Sequence, residues 1–234
     1  MTRRCSLVPM NSARRPAALC NRAVRPDRVA SPDNGLAGRG AVWWISRVAL
    51  SLVLGALLGL ATQRSIGLGA AMNEAFAKSA GPWAIAAALV GRWAPNVRTA
   101  VVTATVCLWA ATVAFYAAGG PPGAGTPGFW LAMTVSVGPL LGWLGRASAT
   151  SGWPGAIAAG IIAGWLTGEV LNTALGYGGA SRWLGVAVNG VAAACWVGAA
   201  RGPRRVVAAT MVPMTAAPVV FLAAVELASG PTFH

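Results

Sequence analysis

Between residues 43 and 228 the sequence alternates apolar stretches of sixteen to twenty-three residues with short breaks, and this rhythm leaves few folds open. A helix needs about 20 apolar residues to cross the hydrocarbon core of a bilayer. Inside that core every backbone N–H and C=O must be satisfied within the protein, which a helix achieves along its own length. The spacing predicts seven spans, at roughly 43–62, 80–95, 99–118, 129–146, 153–175, 183–200 and 206–228. The second, GPWAIAAALVGRWAP, is the weakest: it is short, carries Arg92 and ends at Pro95. Without it the count is six. The expected fold is all-α, a polytopic transmembrane helical bundle over residues 42–230.

Residues 1–41 read differently. They are rich in Arg, Pro, Ala and Ser, show no apolar period, and contain prolines that block helix propagation. They are expected to be a disordered, basic cytoplasmic tail. Segment 63–78 is expected to form a short interfacial helix, with Glu74 and Lys78 as an i, i+4 pair.

Charge then sets orientation. Only 10% of the residues are charged, against about 25% in soluble domains. The net charge of +13 would suit nucleic acid, but nine of the eighteen basic residues lie in the first 47 positions and the rest sit singly or in pairs between apolar runs. That distribution reads as a membrane topology signal, and no nucleic-acid partner is expected. With seven spans and the N-terminus inside, fifteen basic residues fall on the inner side and three (Arg64, Lys78 and Arg182) on the outer. Dropping the second span strands Arg146 and the RGPRR cluster outside. The N-in/C-out arrangement of seven spans follows, in the inner (plasma) membrane. Nine of the eleven tryptophans lie near predicted span ends, where indole sits well at the headgroup level.

Inventory argues against enzyme chemistry. The only histidine is His234, and both aspartates, Asp27 and Asp33, belong to the tail. An intramembrane aspartyl dyad and a serine–histidine protease are therefore excluded. Cys5, Cys20, Cys107 and Cys195 form no C-x-x-C pair. No P-loop is present. The G-x-G-x-x-G at Gly123, Gly125 and Gly128 lacks the strand and the acidic residue that a dinucleotide site needs. No catalytic residue, metal or cofactor is expected.

Two features of the fifth span carry physical content. Ala156, Gly160, Gly164, Gly168 and Asn172 recur every fourth residue on one face. Small residues let helix backbones approach closely in lipid, so Gly160, Gly164 and Gly168 are expected to pack against a neighbouring helix. Beside that face stands Glu169, the one acid deep in a span. A charge near the membrane centre costs at least a few kcal/mol unless it is paired or faces a polar cavity. Three readings compete: an ion pair with Arg182 across the short GYGGAS turn, or with Lys78; a protonated carboxyl bonded to Asn189 or a threonine; or a cavity site for a proton or cation, flanked by Asn172 and Asn189. The Arg182 pair is the expected partner.

The stretches NEAFAKSAGPWAIAAALVGRW and GWLTGEVL resemble a group of uncharacterised multi-pass membrane proteins of actinobacterial type, over about residues 45–228. The resemblance implies a multi-pass membrane fold and carries no activity or site residue. Two functions remain open. One is a small permease or transport-system component with a site near Glu169, its substrate unknown. The other is a membrane scaffold or assembly partner with Glu169 as a structural ion-pair residue. Beyond the lipid bilayer, the expected partner is a membrane protein or a second copy of the chain.

Overall fold

The computed structural model describes residues 34–77, 79–119, 127–176 and 182–229. Among these are seven helices of eight or more residues: α1 (Asn34–Gly67), α2 (Gly81–Arg92), α3 (Val97–Ala117), α4 (Pro127–Ser148), α5 (Trp153–Gly176), α6 (Arg182–Gly198) and α7 (Arg204–Ser229). Four are long and apolar enough to cross a membrane: α1 over Val42–Gly67, α3, α4, and α5 over Trp153–Leu175. The remaining three differ. The α2 helix has 12 residues, about 18 Å of rise against a hydrocarbon core of about 30 Å. The α6 helix has 17 residues and α7 has 26.

Two boundaries depart from expectation. The predicted tail reached residue 41, but α1 begins at Asn34. No proline follows Pro32 until Pro82, so a helix nucleated in the apolar part of α1 can propagate backward at little cost. Residues 1–33 lie outside the described residues. The predicted interfacial helix over 63–78 is divided. Its first part continues α1, Ala70–Met72 makes one α-turn, and Asn73–Ala77 is π-helical. A π-turn abandons the i, i+4 spacing on which the Glu74–Lys78 pair was based, and Lys78 itself lies outside the described residues.

The packing is inverted relative to a protein in water. On α1 the buried positions are Ser51, Gly55, Gly59, Thr62 and Ser65, spaced three to four residues apart. Leu50, Val53 and Leu57 are 54%, 54% and 57% exposed on the opposite side. A soluble amphipathic helix does the reverse. In lipid, leucine gains nothing by turning inward, and small or hydroxylated residues at the interface bring backbones together. A Cβ at Gly55 or Gly59 would run into the carbonyl of Cys107 or Ala111 on α3. Gly91 of α2 rests on Gly142 of α4, and Gly145 of α4 rests on Ala88 of α2. The glycine face of α5 meets α7: Gly160 lies against Val207 and Thr210, and Gly164 against Met211 and Met214.

Successive helices alternate in direction, which gathers Arg47, Arg92, Arg98, Arg146, Arg201, Arg204 and Arg205 at one end. Four of these guanidinium groups donate to carbonyls where helices stop. Arg47 donates to Trp93 O at 3.2 Å, Arg146 to Pro95 O at 3.0 Å and Arg201 to Ala149 O at 3.4 Å. Arg92 donates to Ser148 O and Oγ, both at 2.9 Å, and to Ala199 O at 2.9 Å, and lies over the Trp196 ring. Helix C-termini carry unpaired carbonyls and the negative end of the dipole, so cations settle there.

Candidate functional site: the buried start of a half-length helix

Because α2 is short, its N-terminus stops well inside the bundle, where Gly81 and Pro82 are buried. The local sequence S-A-G-P explains the start. Proline is accepted in the first turn, since its missing N–H has no intrahelical partner there. The residue before the helix, Ala80, has no side chain to cap it. A buried helix start still needs acceptors for its exposed N–H groups, and they come from elsewhere. The Gly81 N–H donates to Ser79 Oγ at 3.2 Å. The Ser79 hydroxyl donates in turn to Glu169 Oε2 on α5 at 3.2 Å, and the backbone N–H of Ala80 faces the same carboxyl group. Glu169 thus sits at the positive end of the α2 dipole.

The third member comes from α6. Asn189 Nδ2 donates to Ser79 Oγ at 3.1 Å. A serine hydroxyl has one hydrogen to give and two lone pairs to share. Ser79 uses all three, bridging the start of α2, the middle of α6 and the last third of α5. Ser79 and Glu169 are each 5% exposed and Asn189 is fully buried. Asn189 Oδ1, by contrast, has no hydrogen-bond donor. It lies so close to Gly81 that a side chain there would displace the Asn189 amide. Thr173, one turn beyond Glu169, is buried against Gly185 of α6, which itself packs on Ala75 of the π-turn.

The four residues expected at the site are therefore divided. Glu169 and Asn189 meet on a common hydroxyl. Asn172 is half-buried and makes no hydrogen bond to Ser79, Glu169 or Asn189 among the described residues. Among the described residues no ion pair joins Glu169 to Arg182, whose guanidinium donates to Ala174 O at 3.2 Å and lies 5.0 Å from the centroid of the Trp183 ring. The reason is geometric. The C-terminal carbonyls of α5 attract a cation standing beside them, while the N-terminus of α2 presents donors directly to Glu169. Lys78, the other predicted partner, is outside the described residues. Of the predicted packing glycines, Gly160 and Gly164 press on α7, and Gly168 is buried.

Ser79 was not singled out from sequence. A serine two positions before Gly-Pro is a helix-start signal, and Ser79 stands in the break between the expected segment 63–78 and the expected span 80–95. Chemically the centre offers a carboxyl, a hydroxyl and an amide oxygen. All three are hard oxygen donors, suited to a proton or a small cation.

Among curated proteins and solved structures nothing matches the chain. A family of unknown function, DUF6518, matches residues 39–230, which covers every described helix but the first turn of α1 and leaves out residues 1–38. The chain belongs to that family.

Proposed function

We propose that the protein is a multi-pass component of the inner (plasma) membrane, without enzymatic activity, acting as a small permease or as part of a transport system. The observation that carries this reading is the half-length α2 helix, whose buried N-terminus meets an intramembrane acid beside an amide oxygen without a donor. Discontinuous helices with their ends at mid-depth are a recurring way to build substrate and coupling-ion sites in transporters. Intramembrane acids mark proton and ion pathways. On this reading Ser79, Glu169 and Asn189 form the centre, and a proton or monovalent cation is the ion it handles. All seven helices act as membrane segments with the N-terminus inside and the C-terminus outside, as the basic end implies.

Reconstitution tests it. Liposomes holding the protein and an internal pH-sensitive dye are given an imposed sodium or proton gradient. Flux of one ion is expected, and Glu169→Gln is expected to abolish it. No flux of either ion would overturn the transport reading. It would favour the scaffold reading, which has its own support in the filled packing at the centre and the close α5–α7 contact. Orientation is tested by fusing to His234 a reporter that matures only outside the cytoplasm. Activity is expected, and a cytoplasmic signal would contradict the assignment.

A further inference from the structure

At the basic end, an open groove of about 580 Å³ runs between the third turn of α1 and the first turn of α3, lined by Trp43, Trp44 and Arg98 among others. Both indoles are partly exposed, at 39% and 44%, and Arg98 is exposed. Beside the groove lies a narrower cavity of about 30 Å³ with Arg47, Leu50 and Leu54 in its wall. Thr99 lines both, so the two adjoin at that residue. Arg47 stands near the junction, its guanidinium 5.1 Å from the centroid of the Trp43 ring and bonded to Trp93 O. Beyond it Leu50, Leu54 and Val90 line the wall together with the hydroxyl residues Ser51, Thr99 and Thr103, and Leu50 and Leu54 are exposed on the outer side.

Along this path the chemistry changes from cationic and aromatic to aliphatic. A phospholipid has the same order: phosphate, glycerol, acyl chain. Indole rings favour the headgroup level. Charge decides the headgroup. Seven arginines gather at this end, and none of the described acids does: Glu74 lies in the π-turn, Glu169 in the last third of α5 and Glu226 near the far end of α7. We propose that this notch between α1, α2 and α3 is a binding site for a phospholipid with an anionic headgroup, the phosphate at Arg98 and Arg47 and a chain along Leu50 and Leu54. The inference requires that these helices lie in a membrane. It does not depend on transport or on the Ser79 centre. The apolar continuation is what selects a lipid over a free phosphate.

The test uses the full chain in detergent, titrated with phosphatidylglycerol or with phosphatidylcholine of the same chain length and read by native mass spectrometry. Phosphatidylglycerol is expected to bind more tightly. Arg98→Gln is expected to weaken it about fivefold, the weight of one arginine near an anionic headgroup, and to leave phosphatidylcholine unchanged. Arg98 is exposed, so the variant should fold, and Arg98→Lys should retain most of the binding. Arg205→Gln, at the same end but outside the notch, should have less than half that effect. Equal binding of the two lipids would overturn the proposal, as would an equal loss in Arg98→Gln and Arg205→Gln. So would displacement of the lipid by inorganic phosphate at the concentration at which unlabelled phosphatidylglycerol displaces it.

Discussion

Replacing Glu169 with alanine removes the acceptor of the Ser79 hydroxyl and the group that the Ala80 N–H faces. Ser79 remains 5% exposed, so water replaces the lost partner poorly. A buried donor left without an acceptor costs about 1–3 kcal/mol. Losing a negative charge at a helix N-terminus costs about 0.3–1 kcal/mol. Together these place Glu169→Ala at about 1–4 kcal/mol of destabilisation. Glu169→Gln keeps an oxygen of the same reach and loses only the charge, so it should cost about 1 kcal/mol. Ser79→Ala removes the same hydroxyl–carboxyl bond from the other side. The double variant Ser79→Ala/Glu169→Ala should therefore cost less than the sum of the singles, by about 1 kcal/mol of coupling. Arg182→Gln should add independently to either. The assay is unfolding in mixed micelles by increasing denaturing detergent, followed through the fluorescence of the eleven tryptophans. The reasoning is refuted if Glu169→Ala is neutral, or if Glu169 couples to Arg182 and not to Ser79.

Other variants probe the rest of the bundle. Gly59→Val drives a side chain into the Ala111 carbonyl and should destabilise by about 1–3 kcal/mol, whereas Gly198→Ala, with open space around it, should be near neutral in the same unfolding assay. Arg92→Gln cannot reproduce the three bonds to Ser148 and Ala199 and should cost about 2–3 kcal/mol, since bonds from a charged donor are the stronger kind. Deleting residues 2–33, which lie before α1 and carry no apolar period, should leave membrane yield and unfolding midpoint unchanged.

Length and apolarity alone made the helices legible, because a membrane segment must satisfy its backbone within itself. Glu169 was legible too, as an acid out of place. Its partner was not. Arg182 is 13 positions away in the sequence and looked adjacent, while Ser79 is separated from Glu169 by 90. A hydrogen bond across that separation depends on how α2, α5 and α6 pack, which no local pattern encodes. The start of α2 was legible to within one residue, 80 against Gly81, but the carboxyl that its Ala80 N–H faces was not, because it lies on α5. The glycine repeat of α5 announced close packing, but nothing in it pointed to α7 rather than to a sequential neighbour. The π-turn at Asn73–Ala77 had no signature of its own.

The account depends most on α2 completing a membrane crossing that begins in the 70–80 segment, so that its capped N-terminus lies within the membrane. Single cysteines at Leu68 and Pro95, both exposed, in a background with Cys5, Cys20, Cys107 and Cys195 replaced, test this with a membrane-impermeant maleimide in oriented vesicles. The account predicts that the two positions label from opposite sides. Labelling of both from the same side would contradict it, because α2 would then enter and leave by one face and the centre at Ser79, Glu169 and Asn189 would not belong to a crossing segment.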